Sequence, residues 1–119
     1  MPILLKRVYE PAEPADGYRV LVDRLWPRGV SKARAAIDLW AKDVAPTPAL
    51  REWFNHEPER FAEFRVRYRA ELEHNGAVDD LHAVIGEHPE TTLVYAAHDE
   101  AHNHAIVLAD YLRELPPAV

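Results

Sequence analysis

Two short stretches of this 119-residue chain place acids, arginines and imidazoles where strand-like runs end. The first is Val22-Asp23-Arg24, continuing through Trp26 and Pro27 to Arg28; the second is Ala97-His98-Asp99, continuing to His102, Asn103 and His104. In open α/β sheets ligands bind outside the carboxyl ends of the strands, so the two stretches share one crevice if their strands run parallel. Arg24 and Arg28 offer planar, bidentate donors suited to phosphate or carboxylate, with Trp26 and Asn103 beside them as further ligand contacts. Asp23, Asp99, His102 and His104 are the groups that could orient an arginine or move protons. A helix starting near Asn103 would aim free backbone N–H groups and the positive end of its dipole at the same crevice, which suits an anionic guest. The competing reading is structural: Asp23, Arg24 and Asp99 form a buried ion network that fixes the two loops.

Other chemistries are narrowed by what the chain lacks. With no cysteine, thiolate nucleophiles, iron–sulfur clusters, thiolate zinc sites and disulfides are excluded. No Gly-rich phosphate loop, nucleophile elbow or zinc-protease helix is present. His98 and His102 stand four residues apart, but His98 precedes the helix, so no metal set is assigned and no cofactor is expected. His56 is a further imidazole that could reach the crevice. Trp40 and Trp53 read as packing anchors.

The formal charge of −6 is unevenly spread: residues 1–34 hold seven Lys/Arg against four Asp/Glu, and residues 35–119 hold seven against sixteen. The amino-terminal third is therefore the part that faces anions. The acidic whole argues against a general nucleic-acid binder, because phosphate neutralisation supplies most non-specific affinity. The start, Met1 to Arg7, has no basic segment ahead of an apolar run too short for a leader or a membrane span, so a cytoplasmic protein is expected.

These groups need elements to position them. Ile3 to Tyr9 and Tyr18 to Val22 read as strands separated by a Pro-rich loop with an Asp16-Gly17 turn, and antiparallel pairing is the easier connection if they are neighbours. Ser31 caps a short helix through about Ile37, and Asp38 to Ala45 is a strand or extended loop. Thr47-Pro48 opens another helix. Pro58 opens the clearest one, with Phe61, Phe64, Tyr68 and Leu72 on one stripe and balanced charges outside it, Glu63 facing Arg67. Asn75-Gly76 ends it by C-cap chemistry, and Val78, Leu81, Val84 and Ile85 mark a shorter helix to Gly86. Thr91 to Ala96 reads as a buried central strand, and a last helix runs from Asn103 to the Pro116-Pro117 stop. The expectation is a single α/β domain over residues 1–119: a compact three-layer unit with a small mixed, mainly parallel sheet flanked by helices.

The run from Gly17 through Val20-Leu21-Val22-Asp23-Arg24-Leu25-Trp26-Pro27-Arg28-Gly29 to Lys32 resembles the YeaO-like family, small bacterial proteins of a domain of unknown function. The likeness continues through Asp38-Leu39-Trp40, Ala45-Pro46, Leu50-Arg51-Glu52-Trp53-Phe54, Leu93-Val94-Tyr95 and His102-Asn103-His104-Ala105, so it covers nearly the whole chain. The resemblance implies a compact α/β fold and a cytosolic bacterial setting, and carries no established activity. More distant relatives pair an Asp-x-Arg-x-x-Pro-like strand end with a Cys-His-Arg-like helix start; Asn103-His104-Ala105 fills the second place, without the thiol. The functional expectation is an enzyme or enzyme-like binder of a small anionic ligand, phosphorylated or nucleotide-like. The alternatives are a non-catalytic regulatory or protein-interaction module, and a nucleic-acid-binding accessory protein acting through the basic amino-terminal part.

Overall fold

The computed structural model describes residues 3–117, so Met1 and Pro2 of the apolar start lie outside the described part. Four strands, β1 (Ile3–Arg7), β2 (Tyr18–Leu21), β3 (Leu39–Trp40) and β4 (Thr91–Tyr95), form one sheet in the order β1-β4-β2-β3. All three pairings are parallel. The two early strands are not neighbours, because β4 lies between them; the antiparallel pairing considered for them does not arise. β4 is buried at every residue, which its unbroken apolar and β-branched run requires of an inner parallel strand.

Five helices complete the fold: α1 (Lys32–Ala35), α2 (Pro48–Phe54), α3 (Phe61–Glu73), α4 (Gly76–Gly86) and α5 (His104–Glu114). Ser31 Oγ accepts from the Arg34 N–H and starts α1, but Ala36 takes a left-handed conformation (φ 49°), so the helix stops before Ile37. Thr47 caps α2 and Asn103 caps α5 through the same side-chain contact to the third helical N–H. Asn75 acts opposite to its sequence reading. Its Oδ1 accepts from the Ala77 N–H, making it the N-cap of α4, while α3 has already closed on His74. Between Asp38 and Ala45 the chain has both characters: two residues of strand, then a 3-10 turn over Lys42–Val44.

Strand alternation divides the sheet into two unequal faces. Val20, Leu93 and Tyr95 turn to the large core, where α3 contributes Phe61, Phe64, Tyr68 and Leu72 and α5 contributes Ala105, Leu108 and Leu112. Leu21 and Val94 turn to the other face, a small cluster with Val8, Val30 and Ala35 under the partly buried Trp26 and Ile37. The third layer is thus one helical turn and a loop.

The small face also holds a buried ion cluster. Asp16, 6% exposed, receives Arg19 Nη1 at 2.6 Å and Lys6 Nζ at 3.1 Å. Arg19, 3% exposed, donates Nε and Nη2 to the Ala35 carbonyl, which ties α1 to the sheet. Burial pushes the Asp16 carboxyl up, but the Glu13 N–H, Lys6 and Arg19 together hold it below its ordinary value of 3.8. Gly17, at φ +65°, follows directly, and a Cβ there would run into the Glu90 carbonyl that pairs with the Tyr18 N–H.

The buried polar groups set two expectations for stability. Asp16→Asn removes a charge that the buried Arg19 needs and the half-buried Lys6 shares with Glu13, and costs about 3 kcal/mol at neutral pH. Because the folded-state value is lowered, the charge stabilises at pH values above 3.8, and the deficit of the variant narrows as the pH falls below that point; urea unfolding across the acid range reads both effects. Thr91 Oγ1 is buried without a partner among the described residues. Thr91→Val keeps the shape and removes that orphan, so thermal unfolding is expected to show a gain of about 1 kcal/mol.

Candidate functional site

Parallel strands put all their carboxyl ends on one side, and β2 and β4 are adjacent, so the two stretches singled out by their residues meet at one rim. Asp23 lies just past the end of β2. Its Oδ2 accepts from the Ala96 N–H at 3.0 Å, bolting the exit of β2 to the exit of β4. Its Oδ1 stands 3.1 Å from His104 Nε2, while the same nitrogen meets the Val22 carbonyl at 3.1 Å. Both neighbours are acceptors, so Nε2 carries a hydrogen. The Val22 carbonyl takes that hydrogen, because Oδ1 has no hydrogen-bond partner in good geometry among the described residues.

His104 opens α5 and packs edge-on to Tyr68, with ring centroids 6.3 Å apart. Tyr68 is fully buried, donates to the Val44 carbonyl at 2.6 Å, and has its phenol pushed well above the ordinary range by that burial. Arg24 reaches the backbone ahead of α2. Its Nη2 donates to the Ala45 and Pro46 carbonyls at 3.2 and 3.3 Å, and its buried Nε has no partner among the described residues. Arg24, expected to hold an anion, is engaged through Nη2 with the backbone before α2.

The second stretch folds on itself. Asp99 Oδ1 accepts from the Ala101 and His102 N–H groups at 2.8 and 3.0 Å, and Oδ2 lies 2.9 Å from His102 Nδ1. The Ala101 N–H and the His102 imidazole hold the Asp99 carboxyl below its ordinary value. His102 turns the opposite ring nitrogen from His104 to its carboxylate, and its ring packs at right angles to Phe61 with centroids 5.3 Å apart. Asn103 is 2% exposed. Its Oδ1 caps Ile106 N–H and its Nδ2 donates to the Asp99 carbonyl, so it closes the loop rather than reaching outward.

On the small-face side of the rim, Trp26 gives its indole N–H to the Val30 carbonyl at 2.8 Å and packs edge-on to Trp40. Arg28 is exposed, and its carbonyl accepts from Tyr9 OH at 3.3 Å. Arg7, at the end of β1, completes the rim and was absent from the sequence-based set. Its Nε donates to the Ala97 carbonyl at 2.8 Å, its Nη2 reaches His98 Nδ1 at 3.3 Å, and its guanidinium lies 5.2 Å from the Tyr9 ring centroid. The signal was the same one that marked Asp23: an ionisable residue closing a strand. No three His, Asp or Glu side chains form a metal-holding group among the described residues. His56 adopts φ 55° after Asn55 at φ 48° and lies 6.3 Å from the Phe54 ring.

A family model described as "Inactive DUF488-N3 subclade" matches residues 2–116. The chain belongs to this DUF488-N3 subclade. It is 48% identical over 115 residues to the uncharacterized protein YeaO of Escherichia coli (strain K12), covering 97% of this chain and all of that protein. It is 46% identical over 110 residues to uncharacterized protein Rv3073c of Mycobacterium tuberculosis (strain H37Rv) and to uncharacterized protein Mb3100c of Mycobacterium bovis, covering 92% of this chain and 92% of each relative. No solved structure matches the chain. The family assignment agrees with the resemblance carried by the Asp23-Arg24-Leu25-Trp26-Pro27-Arg28 run.

In this DUF488-N3 chain the Asp99 turn is held by one partly exposed carboxylate, which gives it a pH signature. Asp99 is expected to titrate below 3.8, and a carboxyl-carbon NMR titration measures it. Its stabilising contribution is present at higher pH and is lost as the pH falls through that lowered value. A midpoint at or above 3.8 would mean the turn over residues 99–102 is open in solution.

Proposed function

We propose that the carboxyl rim of the sheet binds a small anionic ligand, phosphate-bearing or carboxylate-bearing, without turning it over. The observation that carries this reading is the meeting of Arg7 and His98 at the exits of β1 and β4, with the exposed Arg28 tied through its carbonyl to Tyr9, whose ring lies under the Arg7 guanidinium. Among the described residues neither guanidinium has a carboxylate within ion-pair distance. Guanidinium groups held by carbonyl contacts, as Arg7 is by Ala97, are pre-oriented donors for planar oxyanions. Arg24 supports the rim from beneath by fixing the segment at Ala45 and Pro46.

Binding is favoured over catalysis by the state of the acids. Asp23 and Asp99 each accept backbone N–H groups, and each has an imidazole neighbour already oriented by the fold. For Asp99 the Ala101 N–H and the His102 imidazole hold the carboxyl below its ordinary value, which makes it a poor proton carrier near neutral pH. The description of the subclade as inactive points the same way.

Calorimetric titration with inorganic phosphate and pyrophosphate tests the reading. Each of Arg7→Ala and Arg28→Ala is expected to weaken binding about tenfold, the size of one lost charge-assisted contact. Arg24→Ala is expected to lower the melting temperature and leave the affinity within about twofold. Absence of binding by the wild type, or full binding by both rim variants, would overturn the proposal.

A further inference from the structure

A parallel sheet is ordinarily covered by helices on both faces, because its strands are apolar on both. Here one face carries α3, α4 and α5 and the other only the four residues of α1 and the loop after β2, so the molecule measures 38 × 35 × 20 Å. Exposed apolar side chains gather where the cover is thin. Leu4 of β1 is 49% exposed and Trp40 of β3 is 38% exposed; by strand alternation both stand on the face of Leu21 and Val94. Leu25, on the covering loop, is 63% exposed, whereas Val66 is the one comparable residue on the helical side among the described residues.

Charge is distributed unevenly as well. On the helical side Arg60, Arg65, Arg67, Arg69 and Arg113 each pair with a carboxylate, and among the described residues the exposed Arg51 of α2 is the exception there. On the thin side Lys32 and Arg34 of α1 are exposed, and Lys42 lies 5.3 Å over the Trp40 ring; among the described residues none of the three has a carboxylate within ion-pair distance. Of the acids nearby, Glu13 and Asp16 are engaged with Lys6 and Arg19, and Asp38 with the Arg19 N–H, while Asp43 and Asp80 line the cavity beside Trp40 and Lys42.

We propose that this thinly covered face is the docking surface for an acidic protein partner, whose apolar side chains pack on Leu4, Leu25 and Trp40 while its carboxylates meet Lys32, Arg34 and Lys42. A second copy is the wrong occupant, because a two-fold contact through this face would bring the unpaired cations of both copies together. Nucleic acid is the wrong occupant too: the chain carries −6 overall, and two of the three apolar contacts are leucines, which offer no stacking surface. The docking face is separate from the anion rim, since none of its six contacts belongs to the Arg7, Arg28 and His98 set.

A displayed library of random twelve-residue peptides selected on the wild-type protein tests it, with binders measured by fluorescence anisotropy. The selected peptides are expected to be rich in Asp and Glu alternating with apolar residues. Their affinity should fall at least tenfold for the double variant Lys32→Glu, Arg34→Glu, and stay within twofold for Arg65→Glu on the helical side. Both substituted α1 side chains are exposed, and an unchanged circular dichroism spectrum verifies the fold. Neutral or basic selected peptides, or equal loss in the two variants, would overturn the assignment. So would self-association in sedimentation equilibrium that the double variant abolishes, or tight binding of labelled oligothymidylate lost in the same variant.

Discussion

The position of β4 governs the molecule. It enters the sheet late in the sequence, between two strands formed from the first quarter of the chain, and is hydrogen-bonded to both. Thr92 donates its hydroxyl to the Asp16 carbonyl, so the strand also anchors the loop that carries the buried carboxylate. At the other end the Ala96 N–H is taken by Asp23. One strand thus closes the core, supports the Asp16 cluster and brings Arg7, Asp23 and His98 to a common rim. A central strand that exposed any residue could not do all three, which is why its run is apolar or β-branched throughout.

At the rim, three consecutive residues divide the work of starting α5. His102 is held by Asp99 through Nδ1, Asn103 caps the helix, and His104 returns to Val22 and Asp23 through Nε2. The helix opening therefore already has an acceptor in Asn103 Oδ1, and its dipole faces the Asp99 turn. That arrangement weakens the case for an anion seated on the helix itself and moves it to the guanidinium groups at the strand ends. Asp23 joins the exits of β2 and β4, whereas Asp99 closes its own turn. Removing either partner would loosen the rim without touching the core.

Elements whose signal is local were legible. The cap at Thr47, the stripe of Phe61, Phe64, Tyr68 and Leu72, the buried run at Thr91 and the last helix from Asn103 each depend on residues within a few positions, and each formed as its chemistry dictates. Asn75 was misread because Asn-Gly serves equally as a helix end or a helix start; which of the two is realised depends on the Asn75 Nδ2 contact to the Asp43 carbonyl, far away in sequence. Arg24 was legible as a rim residue but not in its direction, which depends on where the Ala45-Pro46 segment passes. The parallel neighbour of β1 lies almost ninety residues away, and no pairwise pattern between Ile3–Arg7 and Tyr18–Leu21 announces that another strand will separate them.

The two ends of the sheet are treated differently from its exposed face. Residues of β1 alternate in direction, and since the Val8 N–H pairs with Tyr95, the main-chain groups of Ile3 and Arg7 point outward. Arg113 caps the Ile3 carbonyl, and Glu10 takes both the N–H of Arg7, through its carboxylate, and the carbonyl of Arg7, through its own N–H. The opposite end strand, β3, is only two residues long. Blocked or shortened edges of this kind prevent strand-by-strand growth into larger sheets. The side chains left open lie on the broad face, Leu4 on one edge strand and Trp40 on the other. A partner must then approach by side-chain packing and charge, not by extending the sheet, and that geometry selects for a shaped, acidic surface over a bare peptide edge.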